Sequence, residues 1–146
     1  KMVSRDIALH NQKEGSNELM IVTNPNCKNC ASVHRHMVEI ASSVPVSLVL
    51  VTFPNDRLGE EIAQVIIAAY YVVGWDRAIE LLGEWYENRH VEDAGIYSIT
   101  AEGRDVWTKQ QIYCREQKIS KTPSVIVNKH YVPEVYPLSD LRYVLT

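Results

Sequence analysis

Cysteine is scarce in this sequence, no long hydrophobic run is present, and neither sign of charge dominates. Three cysteines among 146 residues cannot form a closed disulfide framework. The net charge of -3 provides no basic field that would attract a phosphate backbone, so we expect no nucleic-acid partner. The longest apolar window, residues 62–75, contains Gln64 and is too short to cross a bilayer, so we expect no direct membrane insertion.

The composition is typical of one globular domain covering residues 1–146. Hydrophobic residues make up 46% and charged residues 23% of the chain, far from the signature of disorder. The chain contains no repeat and no low-complexity segment. No basic stretch followed by an apolar region and a cleavage site is present, and a start at Lys1 is typical of a mature form or an excised fragment.

Hydrophobic periodicity predicts an α/β domain around a mixed sheet. Apolar runs and turn residues predict strands at residues 6–10, 19–23, 46–53 and 124–128. Apolar stripes at helical spacing predict helices over residues 28–42, 62–73, 75–86 and 104–119, and a short one from 138 or 139 to 145. The middle helices form an inserted block over about residues 57–119, and we expect the last of them to have two partly buried faces.

Two cysteines lie where a predicted strand meets a predicted helix. Cys27 and Cys30 are three residues apart in the first helical turn, close enough to form and break a disulfide without moving the fold. Unpaired N–H groups and the helix dipole stabilise a thiolate at the N-terminal cysteine. We therefore predict that Cys27 is the nucleophile and that Cys30, one turn in, is the shielded resolving thiol.

A metal site is the alternative use of the same cysteines. His34 and His36 follow closely enough to complete a four-ligand zinc set. Helical geometry argues against that set, because His34 lies about 10 Å along the axis from Cys27 and His36 points to the opposite side. We expect both histidines to be solvated, and Ala31 stands where a c-type haem motif needs histidine.

A proline stands directly before the last predicted core strand. Pro123 follows Thr122 and precedes the apolar run of residues 124–127. Proline belongs at the first residue of a strand, and X-Pro is the only peptide bond that adopts the cis form at low cost. Combined with the cysteine pair about ninety residues earlier, the Thr-Pro dipeptide becomes a specific signal.

These motifs together resemble the thioredoxin superfamily over nearly the whole chain. The helical block before Thr122 is similar to the insertion of bacterial Dsb-type oxidoreductases. More narrowly, the chain resembles the thioredoxin-like domain fused to vitamin K epoxide reductase-type membrane proteins of Bacteroidetes. The matching positions are Thr23-Asn24-Pro25, Cys27, Ala31, His34, Trp107, Cys114, Ile119, Thr122-Pro123, Val132-Pro133 to Tyr136, and Asp140-Leu141.

The resemblance implies a thioredoxin-like fold and a role for each site residue. Cys27 and Cys30 become the catalytic pair, Pro123 becomes the cis-proline, and the Thr122 backbone pairs with substrate. The implied partners are cysteine-containing proteins and a vitamin K epoxide reductase-like membrane protein in the periplasm or cell envelope, and no cofactor or metal is implied. One departure is Ile21, which stands where cytosolic thioredoxins place a buried acid, so efficient thioredoxin-like reduction is not expected.

The remaining candidates have structural interpretations. Cys114 lies with Trp107 on an apolar stripe and is expected to be a buried, inert thiol, with a regulatory disulfide as the alternative. Aromatic residues at helical spacing are expected to be core rather than a peptide groove, and exposed aromatics are expected in the tail. The core set is Tyr70, Trp75, Trp85 and Tyr86, and the exposed set is Tyr131 and Tyr136.

The sequence thus favours a thiol–disulfide oxidoreductase acting on protein cysteines. One rival is a thioredoxin-like module that binds an extended peptide at Thr122-Pro123 without catalysis. The other is a copper- or zinc-handling protein that uses Cys27 and Cys30 as ligands.

Overall fold

The computed structural model describes residues 5–92, 94–97, 100–132, 138 and 141. In this part of the chain a five-stranded mixed sheet is accompanied by four helices. The strands are β1 (Leu9–His10), β2 (Leu19–Thr23), β3 (Val46–Leu50), β4 (Ser124–Val127) and β5 (His130–Tyr131). The helices are α1 (Lys28–Ile40), α2 (Arg57–Val73), α3 (Trp75–Asn88) and α4 (Ala101–Glu116).

The sheet has the order β1-β3-β2-β4-β5. Strands β2 and β3 are parallel and are joined through α1, whereas the other three pairings are antiparallel. Because β2 occupies the centre, its carboxyl end is flanked by β3 on one side and by the start of β4 on the other. This topology places the segment that follows β2 beside the segment that precedes β4.

Alternation along the strands divides the core between two faces of the sheet. Leu19 and Ile21 of β2 belong to the larger apolar cluster, which also contains Met37 of α1 and the buried stripes of α2 and α3. Met20 and Val22 point to the opposite face, where Cys114 of α4 belongs to a smaller cluster. All five residues of β2 are buried, because this central strand is covered on both faces of the sheet.

Side-chain amides of α4 explain why two strands are shorter than predicted. Strand β1 begins at Leu9 rather than residue 6, because the Ile7 carbonyl accepts a hydrogen bond from Gln110 instead of from a strand. Strand β3 ends at Leu50 rather than residue 53, because Gln111 Nε2 donates to the Leu50 carbonyl at 2.8 Å and Gln111 Oε1 accepts from the Thr52 N–H at 3.1 Å.

Helix α4 is displaced by three residues from its predicted range and has one buried face. Thr100 caps its N-terminus by accepting a hydrogen bond from the Gly103 N–H at 2.9 Å. Its C-terminus is a Schellman motif, in which Lys118 has a φ of 57° and the Ile119 N–H bonds to the Cys114 carbonyl at 2.8 Å. Ile119 is therefore buried beyond the helix, and Ile112 is 42% exposed, so the predicted second face is wrong.

The two helices before α4 run longer than their apolar stripes. Asp56 caps α2 by accepting a hydrogen bond from the Gly59 N–H at 2.9 Å, so the helix begins before its first apolar residue. Gly74, with a φ of 93°, separates α2 from α3 in a conformation that favours glycine.

After β4, Asn128 and Lys129 both have positive φ and form a two-residue hairpin to β5, a strand that the sequence did not predict. The predicted helix ending at residue 145 lies mostly outside the described residues.

Candidate active site

The cysteine pair lies at the carboxyl end of the central strand. After Thr23 the chain turns through residues 24–26, and Cys27 is the N-cap residue of α1 in an extended conformation. The Cys27 side chain makes no capping hydrogen bond to the helix and is half-buried. Cys30 lies one turn later and is completely buried. The structure therefore holds one accessible thiol above one inaccessible thiol.

The environment of Cys30 keeps its thiol neutral. Burial raises the pKa of Cys30 to about 12, and the hydrogen bond with Cys27 contributes in the same direction. Two groups act in the opposite direction on this pKa, namely the side chain of Thr23 and the backbone N–H of Asn24, and the Asn24 N–H donates to Sγ across 3.5 Å. The sulfur thus has a backbone hydrogen-bond donor in place even though the apolar surroundings disfavour its anion.

The loop before β4 meets the accessible cysteine. The Thr122–Pro123 peptide bond is cis. The Cys27 thiol donates to the Thr122 carbonyl oxygen across 3.5 Å, although the two residues are 95 positions apart. Antiparallel pairing of β4 with β2, which sets Ser124 opposite Val22, accounts for this approach. All four residues proposed from the sequence, Cys27, Cys30, Thr122 and Pro123, are thus brought to one end of the sheet.

A groove opens beside this contact. It has a volume of about 670 Å³ and lies between the first turns of α1 and the segment around Pro123. Asn29 and Val33 line it on the helix side, and Val125 and Tyr131 line it on the strand side. Tyr131 is 58% exposed, as predicted, whereas Tyr136 lies outside the described residues. Pro123 also lines the groove, whereas Cys27 does not.

Helix α3 holds the residues that precede Cys27, and the sequence did not predict this. The Trp85 indole N–H donates to the Pro25 carbonyl at 2.8 Å, and the Tyr86 hydroxyl donates to the Asn24 carbonyl at 3.1 Å. Trp85 is buried and Tyr86 packs against the core, so the prediction that both are core residues is confirmed. The indole N–H and the hydroxyl at the ends of these side chains also hold the backbone before Cys27, and helical spacing alone cannot reveal this.

Asn26, directly before Cys27, is held from two sides. Its amide nitrogen donates to Asp56 at 2.7 Å, and its side-chain oxygen accepts from Arg89 at 2.7 Å. Arg89 in turn stacks over the Trp85 ring, 4.2 Å from the ring centroid. The loop between β2 and α1 is therefore fixed by side chains from α2 and α3 as well as by its own backbone.

The prediction that His34 is solvated is wrong. His34 is only 7% exposed, and its Nε2 lies 3.1 Å from the Ile79 carbonyl of α3. Helix α3 packs against this face of α1, so the histidine extends the stripe of Cys30, Met37 and Ile40 at helical spacing. Burial lowers the pKa of His34 to about 4. His36 is half-buried.

The four-ligand set of the metal hypothesis is not assembled. Within the described ranges, no group of three histidine, cysteine, aspartate or glutamate side chains lies close enough to hold a metal ion. Cys114 is 2% exposed, as predicted, in the smaller cluster on the other face of the sheet from Met37. Burial raises the pKa of Cys114 to about 11, so this thiol is neutral near pH 7.

The sheet order, the cysteine pair at the start of α1 and the proline loop before β4 define a thioredoxin-like fold, as predicted. Solved structures share this fold at low sequence identity. The catalytic domain of Proteus mirabilis ScsC superposes with a TM-score of 0.80 and 14% identity, over 96% of this chain and 88% of that one.

Two further solved structures are similar. A periplasmic thioredoxin-like protein from Salmonella enterica serovar Typhimurium gives a TM-score of 0.77 at 14% identity, over 96% of this chain and 88% of that one. MdbA, a thiol-disulfide oxidoreductase from Corynebacterium diphtheriae, superposes with a TM-score of 0.70 at 13% identity, over 97% of this chain and 90% of that one. No protein-family model and no curated protein matches the sequence. None of the described helices combines the length and apolar character needed to cross a membrane.

Proposed function

We propose that this protein is a thiol–disulfide oxidoreductase that exchanges disulfides with cysteines of partner proteins. The observation that carries this proposal is the stacking of a half-buried Cys27 over a fully buried Cys30, beside the Thr122 carbonyl. The half-buried Cys27 is open to a substrate sulfur, whereas Cys30 is fully buried. The similar solved structures include a thiol-disulfide oxidoreductase, which supports the same chemistry.

The proposed reaction is two successive thiol–disulfide exchanges. With the pair oxidised, a substrate thiolate attacks the Cys27 sulfur, and the electron pair of the Cys27–Cys30 bond goes to Cys30. A second substrate thiolate then attacks the substrate sulfur of the mixed disulfide and releases Cys27. The substrate gains one disulfide, the protein gains two electrons, and both released thiolates take protons from solvent.

Thr122 and Pro123 are proposed to hold the substrate. In the reduced structure the Thr122 carbonyl accepts a hydrogen bond from the Cys27 thiol, so it lies within reach of a chain attached to that sulfur. Backbone pairing at Thr122 is independent of substrate sequence, because every peptide offers an N–H group. Such pairing suits an enzyme that acts on many proteins.

The direction of exchange is proposed to be oxidative and the location to be the cell envelope. Ile21 is buried where cytosolic thioredoxins place an acid, so no carboxylate at that position can take the proton of Cys30. Disulfides persist in oxidising compartments. The resemblance to domains fused to vitamin K epoxide reductase-type proteins suggests that a membrane protein of that kind reoxidises the pair.

The reduction potential of the Cys27–Cys30 pair tests the direction. Equilibration with glutathione buffers followed by thiol trapping should give a value of about -120 to -200 mV, the range of dedicated oxidants and isomerases. A value near about -270 mV would make the protein a reductase and would contradict the oxidative assignment. A pair that never forms a disulfide would favour peptide binding or metal handling instead.

Single-cysteine variants test the assigned roles. Cys27→Ser should abolish exchange with a disulfide-containing protein, and Cys30→Ser should accumulate the mixed disulfide, detected as a mass adduct on non-reducing gels. Cys114→Ser is the matched control, because that thiol is buried on the other face of the sheet, and exchange should be unchanged. Activity remaining in Cys27→Ser would refute the mechanism.

A further inference from the structure

The groove beside Pro123 carries positive charge. Its charged lining residues are Lys118 and Lys121, and among the described residues no aspartate or glutamate lines it. Both lysines are exposed, as is Lys28, which directly follows Cys27. The whole chain has a net charge of -3, so the charge of the groove is opposite in sign to that of the molecule.

A second groove, between α1 and α3, has the opposite character. It has a volume of about 890 Å³, and its cationic lining residues are Lys13 and Arg35. Its acidic lining residues are more numerous, namely Glu39, Asp76, Glu80, Glu84 and Glu87. An acidic peptide segment is therefore attracted to the groove beside Pro123 and repelled from this one.

Backbone hydrogen bonds hold both lysines of the first groove in place. Lys118 follows α4 with a φ of 57°, and its N–H donates to the Arg115 carbonyl at 3.1 Å. The next residue, Ile119, is buried and lines the groove. The Ser124 hydroxyl donates to the Lys121 carbonyl. An acidic group that binds here therefore has to order two lysine side chains but no backbone.

The loop that contains Lys121 also reaches the reactive sulfur. The Thr122 carbonyl oxygen lies 3.5 Å from Cys27 Sγ, and the residues on either side of Thr122, Lys121 and Pro123, both line the groove. A substrate cysteine that is bonded to Cys27 and held at Thr122 therefore has its neighbouring residues within reach of the groove. In an extended substrate, successive side chains point to opposite sides, so one of the flanking side chains faces the lysines.

We propose that Lys118 and Lys121 are specificity-determining residues, and that the preferred substrates carry aspartate or glutamate beside the cysteine that reacts. This inference rests on the proposed function and names the substrate class for the same site. Exposed charge pairs add little to affinity but change the rate of encounter. The preference should therefore appear in the rate of mixed-disulfide formation and should weaken as salt is added.

Single-cysteine peptides that carry 2-nitro-5-thiobenzoate on their sulfur report the first exchange alone. In the reduced Cys30→Ser protein, the Cys27 thiolate attacks the peptide sulfur and forms a mixed disulfide, and the coloured thiolate leaves with the electron pair of the broken bond. The peptides are identical except that glutamate, glutamine or lysine flanks the cysteine. At low salt the glutamate peptide should react roughly tenfold faster than the lysine peptide, with the glutamine peptide between them.

Substitutions in the same Cys30→Ser protein test the lysines. Lys118→Glu should lower the glutamate-to-lysine rate ratio by roughly threefold to tenfold, and Lys121→Glu should act in the same direction. Lys118→Arg keeps the charge and should leave the ratio within about twofold. Lys109→Glu is the matched control, because Lys109 pairs with Asp105 at 3.0 Å on α4 and does not line the groove. Comparing ratios cancels the intrinsic reactivity of each peptide and any change in the reactivity of Cys27.

The possible results separate this inference from the proposed function. An unchanged ratio in Lys118→Glu would overturn the selectivity and leave the exchange reaction standing. A ratio that falls equally in Lys109→Glu would also overturn it, because net charge rather than the groove would then set the preference. No release of the coloured thiolate from any peptide would overturn the proposed function itself.

Discussion

The ionisation of each cysteine and of His34 depends on the surface that covers the side chain. Cys27, Cys30 and Cys114 are chemically identical, yet one is half-buried at a helix N-terminus and two are covered by apolar groups. His34 was expected to be solvated, and α3 covers it. A neutral imidazole with Nε2 beside a carbonyl oxygen can donate there and needs no charge partner.

The buried His34 should make the protein less stable in acid. Its folded pKa is about 4 and the ordinary pKa of histidine is 6.5, so the unfolded chain binds the proton first as the pH falls. The contribution is fully present above pH 6.5 and is lost as the pH falls toward 4. Urea denaturation at several pH values should show that His34→Gln loses less stability over this window, by on the order of 2–3 kcal/mol near pH 4.

The comparison isolates His34, because His10 titrates in both proteins. Burial also lowers the pKa of His10, so its contribution cancels when the two pH profiles are subtracted. Parallel profiles for the parent protein and His34→Gln would show that folding does not lower the pKa of His34 and would contradict this account.

At the scale of secondary-structure elements, α2 and α3 position the loop that carries Cys27. Asp56 has two tasks, since one carboxylate oxygen caps α2 at the Gly59 N–H and the other accepts from the Asn26 amide. Thr100 caps α4 in the same way at the Gly103 N–H, but among the described residues its side chain makes no hydrogen bond to the cysteine loop. The two N-caps therefore form a natural pair for comparison.

Asp56→Ala and Thr100→Ala should each lower the free energy of unfolding by about 1 kcal/mol, the usual cost of losing an N-cap. Only Asp56→Ala should also loosen the loop, because the Asn26 side chain then keeps the Arg89 contact alone. Amide hydrogen exchange at Asn26 and Cys27 should accelerate in Asp56→Ala and stay unchanged in Thr100→Ala. Equal exchange in both variants would show that the cap does not position the loop.

At the scale of the whole molecule, the reduced fold keeps thiols neutral in its interior and should lose stability in alkali. The pKa of Cys30 is raised by burial from 9.0 to about 12, so its contribution is present below pH 9 and is lost as the pH rises toward 12. Between these values the reduced parent protein should lose roughly 1 kcal/mol per pH unit more than reduced Cys30→Ala. Chemical denaturation in excess reductant measures this difference, and Cys114 titrates in both proteins.

Equal alkaline slopes for these two proteins would mean that Cys30 ionises as readily in the fold as in the unfolded chain. That result would also remove the physical basis for calling Cys30 the shielded thiol. The oxidised protein provides an internal check, because Cys30 then has no proton to lose in either state.

Much of the thioredoxin-like fold follows from local patterns. Continuous apolar runs predict β2 and β3, and apolar stripes predict the four described helices, because these signals reflect which face of an element is buried. The residues at which strands begin and end were less predictable. Gln110 and Gln111 replace strand partners for β1 and β3, and nothing in a strand's own sequence indicates that another element will supply those hydrogen bonds.

The sequence by itself determined that Cys27 and Cys30 lie at a strand–helix junction and that Pro123 precedes a core strand, since spacing and residue type suffice for both. Tertiary structure alone decided that Trp85 and Tyr86 reach the backbone before Cys27 from about sixty residues away. It also decided that the hydroxyl groups of Thr23 and Tyr86 lie 2.9 Å apart. Periodicity identifies a buried face, but the partner of a polar tip on that face depends on how separate elements pack, and packing is a property of the folded chain.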